Sequence, residues 1–302
     1  MTSLITGAAG FIAGHLAPVL GARRGGPVIG ADLQAVARNG FATCLTVDLR
    51  DPVACAALLS QVQPSRVFHL VGLLRGTEEE IRASNVETTR HLLQAVQRHA
   101  PGARVVLLGS AAEYGVVPPE RQPVGETEVG GEAGTYGRAK REVFALARTA
   151  AEIGLHVTMV RPFNVIGPGM PGSLVAGALI ARLRASLRSD PPGKITIGRT
   201  TAIRDFVSVA DVVEGILAAE EHGTPGEAYN LCTAVGHSIA EVLEALLAQA
   251  GRAIPVEVDP ALLREDDVDR MIGDWSRART VLGWHPSRTF EETLAEAWRA
   301  TA

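Results

Sequence analysis

A glycine-rich turn near the N-terminus constrains the fold of this chain more than any other feature. Residues 3–6 are an apolar run typical of a short buried strand, and a helix is predicted to begin near residue 11. Gly7 and Gly10 lie between them, and Ala13 occupies the next small position. Glycines at such a junction permit a tight turn and let backbone amides approach a pyrophosphate at the helix N-terminus. The turn therefore predicts a dinucleotide-binding strand, turn and helix.

Strands and helices continue to alternate beyond this turn. Strands are predicted at 28–32, 41–47, 66–71, 104–109 and 155–160, and long helices at 78–99 and 136–153. Such alternation implies right-handed crossovers and a doubly wound parallel sheet of the Rossmann type. After residue 162 the pattern changes. We therefore predict an α/β fold, with a Rossmann domain of residues 1–162 plus about 205–231 and a smaller, discontinuous substrate domain of about 163–204 plus 232–302.

Composition argues against several other classes of protein. A chain of 302 residues that is 46% hydrophobic can bury a large core. Its net charge of −4 gives no reason to expect nucleic acid or an anionic membrane as a partner. Cys44, Cys55 and Cys232 are scattered and odd in number, so neither a disulfide framework nor a metal site is expected. We find no pattern of a signal peptide or membrane span, and we expect a cytoplasmic protein.

Tyr136 and Lys140 form the first candidate catalytic pair. The chain has three tyrosines and only two lysines, yet these two stand four residues apart and would share one face of a helix. An ammonium beside a phenol lowers the phenol's pKa, and a phenol so tuned can pass a proton to or from a substrate oxygen. Ser110, just after the strand at 104–109, can bond the same oxygen. We predict these three as the catalytic group; an incidental helical pair and a turn serine are the alternative.

Residues at the ends of other predicted strands are candidate cofactor contacts. Asp32 ends the second strand, 25 residues after Gly7, where a carboxylate bonds the adenosine ribose and repels a 2′-phosphate. This favours NAD(H) over NADP(H). Asp48 and Leu49 are candidates to meet the adenine, with a helix cap as the alternative. The cofactor cleft is also expected to be lined by the backbone of Leu70, Val71 and Gly72.

Taken together, these segments resemble the extended short-chain dehydrogenases/reductases that modify nucleotide sugars, the NAD-dependent epimerase/dehydratase family. The resemblance covers nearly the whole chain. It is carried by Thr6-Gly7-x-x-Gly10-Phe11, Asp48-Leu49, His69-Leu70, Asn85-Val86, the segment 110–115, Tyr136-x-x-x-Lys140, and the segments 161–169, 204–212 and 226–231.

The resemblance implies roles for individual residues. Tyr136 would donate or accept the proton. Lys140 would tune the pKa of Tyr136 and bind the nicotinamide ribose, and Ser110 would be the second hydroxyl at the substrate oxygen. Further cofactor contacts would be Phe11, Ile12, Asn85 and Pro162, and substrate contacts would be Glu113, Asn164, Arg204 and Arg264, the two arginines clamping the diphosphate. The helices at 78–100 and 135–153 would form the four-helix bundle of a homodimer.

Ala112 reduces the number of reactions that this site could catalyse. It stands two residues after Ser110, where related dehydratases carry a glutamate for water elimination, and it can act neither as acid nor as base. Glu113 comes one place later and would point to the opposite side of an extended segment. Epimerisation at C3 and C5 is disfavoured as well, because Ala112 and the residues near Gly169 lack the cysteine and histidine of the enzyme that makes GDP-fucose.

Two reactions need only Ser110, Tyr136, Lys140 and the cofactor: reduction of a carbonyl, and 4-epimerisation with tightly bound NAD. Similarity to GDP-6-deoxy-4-keto-mannose reductases in the segments 109–115 and 204–206 favours reduction of a GDP-4-keto-6-deoxyhexose. A UDP-glucose 4-epimerase-like enzyme is the alternative within the class. A non-catalytic NAD-sensing protein is the alternative outside it.

Overall fold

The computed structural model describes residues 1–259 and 268–301. In its first part, strands and helices alternate as predicted. The elements are β1 (Ser3–Thr6), α1 (Phe11–Arg24), β2 (Val28–Asp32), β3 (Thr43–Thr46), α2 (Pro52–Val62), β4 (Arg66–His69), α3 (Glu78–Arg82), α4 (Thr88–His99), β5 (Arg104–Leu108), α5 (Thr135–Glu152) and β6 (His156–Pro162).

The second part of the chain is more mixed. Its elements are β7 (Asn164–Ile166), α6 (Val175–Ser186), β8 (Ile195–Ile197), β9 (Ile203–Ser208), α7 (Val209–His222), β10 (Ala228–Leu231), β11 (Gly236–Ser238), α8 (Ile239–Ala250), β12 (Val256–Val258), β13 (Arg270–Met271) and α9 (Phe290–Arg299).

In the described part of the chain, seven parallel strands form the central sheet, in the order β10-β6-β5-β4-β1-β2-β3. The chain moves outward from β1 through β2 to β3 and then returns to the other side of β1 with β4. In open α/β sheets this reversal marks the crevice where ligands bind. The predicted doubly wound α/β fold is confirmed, and the late strand β10 joins this sheet beside β6.

Helices cover both faces of the sheet because its buried strands carry apolar side chains on both sides. Leu4 belongs to the core packed under α2, α4 and α5, whereas its neighbour Ile5 belongs to the core under α1 and α7. Val67 and Phe68 divide between the two cores in the same way. This two-residue alternation is the geometry of a strand.

The predicted helix at 78–99 differs from the observed one at its centre. A π-helical turn, Ala83–Glu87, separates α3 from α4. It encloses Asn85, which is fully buried and donates from its side-chain amide to the carbonyls of Ile81 at 2.8 Å and Leu73 at 3.0 Å. Single π turns of this kind are frequent at functional sites.

A third core lies away from the central sheet and is built from α6, α8, α9 and β8. Beside it, β7, β9, β11 and β13 form a small sheet, and β8 pairs with β12. The predicted domain boundary near residue 205 falls inside β9, which pairs in this small sheet. Within the described residues, no helix is both long and apolar enough to cross a membrane.

Candidate active site

The glycine-rich turn has a conformation that only glycine accommodates. Gly7 has a φ of +78°, and a Cβ there would lie 2.9 Å from the carbonyl carbon of Leu70. A Cβ on Gly10 would lie 2.9 Å from the carbonyl oxygen of Gly7. Within the described part of the chain no side chain caps α1, and its first turn contains no acid. The helix therefore presents free N–H groups and a positive dipole end, which fits a dinucleotide pyrophosphate.

Asp32 lies at the end of β2, beside this turn. One carboxylate oxygen accepts from the Ala9 amide at 2.9 Å and the other from the Gln34 amide at 3.0 Å. Asp48 is half-exposed and bound by Arg50 at 2.7 Å, and Leu49 is buried in the core. Asp32 is thus fixed against the turn, and its contact with a ribose, like the contact of Asp48 and Leu49 with adenine, stays a prediction.

The structure brings Ser110, Tyr136 and Lys140 together at the carboxyl end of β5. Ser110 caps the 3₁₀ turn Ala111–Tyr114, and its Oγ accepts from the Ala112 amide at 3.2 Å, which leaves its own proton to donate. Lys140 Nζ donates to the Leu108 carbonyl at 2.8 Å and lies 5.7 Å from the centre of the Tyr136 ring. All three side chains border one cavity.

The protonation states of this group are set chiefly by burial. Burial raises the pKa of the Tyr136 phenol well above its usual value. A hydrogen bond with Ser110 opposes this rise, and the charge of Glu113 adds to it. Burial lowers the pKa of Lys140 to about 8, against the opposing effect of Glu113. At neutral pH the phenol therefore holds its proton, and most of Lys140 is still ammonium. We expected Lys140 to lower the pKa of the phenol; in this structure desolvation dominates.

The cavity has a volume of about 960 Å³ and runs from the N-terminus of α1 to β9. It is lined by many of the predicted site residues: Gly10, Phe11, Ile12, Leu70, Gly72, Ser110, Tyr136, Lys140, Pro162, Asn164 and Arg204. Other predicted residues do not line it: Gly7, Asp32, Asp48, Leu49, Val71, Asn85 and Glu113. Arg264 lies outside the described residues.

Glu113 is the clearest correction to the predicted site. The segment after Ser110 is a 3₁₀ turn and not extended, and Glu113 is only 3% exposed. One carboxylate oxygen accepts from the Ser110 amide at 2.9 Å, and the other accepts from Arg161 Nε at 2.7 Å. Both oxygens therefore face the protein interior, and Glu113 does not line the cavity where it was expected to meet a substrate.

Asn164 and Arg204 lie on adjacent strands at the far side of the cavity. The Asn164 side chain donates to the carbonyl of Asp205 at 2.9 Å, and Arg204 donates to the carbonyl of Ile203 at 2.9 Å. Asp205 anchors this region, because its buried carboxylate accepts from the backbone amides of Thr233 and Ala234. Both predicted substrate contacts are thus placed at the cavity wall.

Gly72 illustrates a constraint that the sequence did not reveal. A Cβ there would lie 3.0 Å from Asn85 Oδ1 and 3.3 Å from Lys140 Nζ. Asn85 Oδ1 is buried and has no hydrogen-bond partner among the described residues. Asn85 therefore lies behind the cleft, close to Lys140, and reaches this place through the π turn.

Other residues of the cavity wall were also missed. They come from loops and the small sheet, namely Leu74, Val116, Glu132, Leu174, Val268 and Met271. Most of them lie outside the motifs, so no local pattern marked them as part of the site. Among the described residues no group of three or more histidine, cysteine, aspartate or glutamate side chains is arranged to hold a metal ion.

Comparison with known proteins defines the class. Residues 3–232 match the NAD dependent epimerase/dehydratase family. The chain is 29% identical to dTDP-6-deoxy-L-talose 4-dehydrogenase (NAD(P)(+)) of Kitasatospora kifunensis, over 95% of this chain and 92% of that protein. It is 28% identical to GDP-6-deoxy-D-mannose reductase of Pseudomonas aeruginosa, over 82% and 83%. It is also 28% identical to UDP-glucose 4-epimerase of Bacillus subtilis, over 99% and 96%.

Solved structures of nucleotide-sugar enzymes share the fold of this chain. UDP-glucose 4-epimerase with UDP-glucose from Thermotoga maritima gives a TM-score of 0.89 at 27% identity, covering 100% of this chain and 98% of that chain. RMD from Pseudomonas aeruginosa complexed with NADPH gives 0.83 at 25% identity, covering 99% and 98%. The fold is that of a family of NAD(P)-dependent enzymes that act on nucleotide sugars. The chain belongs to the NAD dependent epimerase/dehydratase family.

Proposed function

We propose that this protein is an NAD(H)-dependent reductase that acts on the 4-keto group of a GDP-4-keto-6-deoxyhexose. The observation that carries the proposal is the acid–base content of the cavity. Among its described lining residues, the one carboxylate is that of Glu132, which is exposed, and neither histidine nor cysteine is present. Elimination and epimerisation at C3 or C5 need a further acid or base, whereas reduction needs Ser110, Tyr136 and Lys140 alone.

The roles of the three side chains follow from their geometry. The Tyr136 phenol is protonated at neutral pH and donates its proton to the substrate oxygen as that oxygen becomes an alkoxide. The Ala112 amide donates to Ser110 Oγ, so the Ser110 hydroxyl can point its proton at the Tyr136 oxygen and at the same substrate oxygen. Lys140 is held by Leu108 close to the phenol and supplies the positive charge that favours loss of the phenolic proton.

The predicted cofactor-binding residues also support the proposal. When bound, NADH supplies the hydride. Gly7, Gly10 and the first turn of α1 would hold the pyrophosphate, and Asp32 would bond the adenosine ribose. A carboxylate at that position disfavours a 2′-phosphate, which is the reason for proposing NADH before NADPH.

The substrate would lie between Tyr136 and Arg204. A guanidinium offers several donors in one plane and suits a diphosphate, and Asn164 lies beside it to bond a phosphate or a sugar hydroxyl. The preference for GDP rests on the similarity to GDP-6-deoxy-D-mannose reductase. A homodimer formed through α3, α4 and α5 is also part of the proposal and can be measured by light scattering.

A panel of GDP-, dTDP- and UDP-linked 4-keto-6-deoxy sugars tests the proposal. We expect NADH oxidation with at least one of them, fastest with the GDP sugar, and lost in Tyr136→Phe. UDP-hexose interconversion without net NADH consumption, by protein that retains NAD on purification, would instead identify a 4-epimerase. That second candidate uses the same three side chains, and the similarity to UDP-glucose 4-epimerase over 99% of the chain favours it. A biological role that survives in Tyr136→Phe would point to a non-catalytic NAD sensor.

A further inference from the structure

Glu113 and Arg161 form a buried ion pair directly behind the catalytic group. Glu113 is 3% exposed and Arg161 is 5% exposed. Arg161 Nε donates to Glu113 at 2.7 Å, and its guanidinium stacks on the rings of Phe144 at 4.5 Å and Tyr114 at 5.2 Å. Neither residue lines the cavity, so neither has a role in the reaction as described above. Burying two charges is costly, and a pair retained in this place calls for an explanation.

The pair reaches the catalytic group along the end of β5. Lys140 Nζ bonds the carbonyl of Leu108 at 2.8 Å, and Glu113 Oε1 bonds the amide of Ser110 at 2.9 Å. Gly109 alone separates those two backbone groups, and a Cβ on Gly109 would lie 2.5 Å from Glu113 Oε1. The Glu113 carboxylate and the Lys140 ammonium are thus bound to backbone groups only one residue apart. Both are buried, so the charge of each is poorly screened from the other.

We propose that Glu113, held by Arg161, is a positioning residue that fixes the main chain of Ser110 and keeps Lys140 in its ammonium form. The hydrogen bond to Ser110 completes a reciprocal capping box with the Glu113 amide, so the serine is held from both sides. This inference extends the roles proposed above for Ser110 and Lys140.

The charges around Lys140 support this assignment. Glu113 and His69 on β4 are in electrostatic contact with Lys140, and Tyr136 and Arg141 lie near it on α5. The Arg141 guanidinium donates to the backbone carbonyls of Glu113 and Gly131. Burial lowers the pKa of His69 to about 3, so it is neutral in the working range. The Tyr136 phenol is also neutral there. Glu113 is therefore the negative charge that offsets the desolvation of Lys140. Burial raises the pKa of Glu113 itself, and Arg161 opposes that rise.

The two lysines of the chain make a direct test possible. Labelling with 13Cε-lysine gives two signals, and the Lys194→Arg variant assigns them. Lys194 is exposed and paired with Glu257, so it serves as an internal reference. We expect the Lys140 signal to titrate near pH 8 in the unaltered protein and about one pH unit lower in Glu113→Gln. The shift has the same direction in Arg161→Met, because Glu113 then loses the partner that keeps it ionised.

A matched control separates this effect from a general loss of stability. Glu220 is 4% exposed and pairs with Arg66 at 3.1 Å, away from the described cavity. Glu220→Gln breaks a comparable buried pair and should leave the Lys140 titration unchanged. A Lys140 titration that is unaltered in Glu113→Gln or in Arg161→Met, while circular dichroism shows a folded chain, overturns the proposal. This readout needs no substrate, so its failure is distinct from a failure of the proposed reaction.

Once a substrate is identified, kinetics test the second half of the inference. Glu113→Asp keeps the charge but shortens the side chain, so it should lose the bond to Ser110. We expect about a tenfold lower kcat with an unchanged KM and an unshifted pH profile. Full activity in Glu113→Asp overturns the positioning of Ser110.

Discussion

Lys140 Nζ donates a hydrogen bond of 2.8 Å to the carbonyl oxygen of Leu108. This contact ties the ammonium on α5 to the last residue of β5, two residues before Ser110, the proposed catalytic serine. The lysine is 2% exposed, and its hydrocarbon stem fills the interior between sheet and helix. The site is therefore a part of the core and not a set of residues added to its surface, which determines how it should respond to pH and to substitution.

The rate of reduction should fall as pH rises through about 8, where buried Lys140 loses its proton. The sign follows from the direction of the shift: burial lowers the pKa from 10.5, so the ammonium is complete only below the lowered value. A pH profile of kcat measures this fall in rate above pH 8. A profile flat to pH 10 would contradict a requirement for the ammonium.

Replacing Tyr136 by Phe should lower kcat by about 10²–10⁴-fold, because the phenol is the proton donor and the ring remains to fill its space. Cofactor binding, followed by fluorescence of bound NADH, should change little. Ser110→Ala should be milder, since one of two groups at the substrate oxygen remains. Equal kcat in Tyr136→Phe and the unaltered enzyme would exclude the phenol as the donor.

Gly7→Ala should weaken cofactor binding and destabilise the fold by about 1–3 kcal/mol. The new Cβ would meet the backbone of Leu70 at 2.9 Å in a conformation with positive φ. Gly102→Ala is the matched control, because nothing lies within 4 Å of its Cβ position. Urea unfolding and NADH titration measure the two effects. A Gly7→Ala protein that behaves like the control would contradict the role of the turn.

Asp32→Ala should weaken NADH binding by about tenfold or more, through the loss of a charge-assisted hydrogen bond to the ribose. The affinity for NADPH should fall less or rise, since the repulsion of a 2′-phosphate disappears. Isothermal titration with both cofactors measures the ratio. If the ratio of the two affinities stays the same, Asp32 does not select the cofactor.

Local patterns in the sequence were sufficient to predict much of the architecture. The dinucleotide turn, the alternation of strands and helices and the Tyr136–Lys140 spacing all depend on residues a few positions apart. Turns, periodicity and helical faces are properties of such short segments. For this reason the doubly wound sheet was predicted correctly, and Ser110, Tyr136 and Lys140 do meet in one cavity.

Features that join distant parts of the chain were predicted less well. Glu113 was expected at the substrate, yet its partner Arg161 lies 48 residues away and turns its carboxylate inward. The π turn around Asn85 was predicted to be ordinary helix. The turn widens the helix so that the buried Asn85 amide can bond the carbonyl of Leu73 in a loop, and that contact is not visible in the local sequence. Leu74, from a loop, and Met271, from β13, reach the cavity only through tertiary packing.

The sequence by itself determined the class of fold, the position of the glycine-rich turn and the choice of Ser110, Tyr136 and Lys140, which meet at one cavity, since each is marked by a short segment. Only the tertiary structure decided the direction of Glu113, the pairing with Arg161 and the pKa of Lys140. These depend on desolvation and on charges brought together from the 3₁₀ turn Ala111–Tyr114, β6 and α5. Burial and long-range contacts are properties of the assembled core, and no single segment contains them.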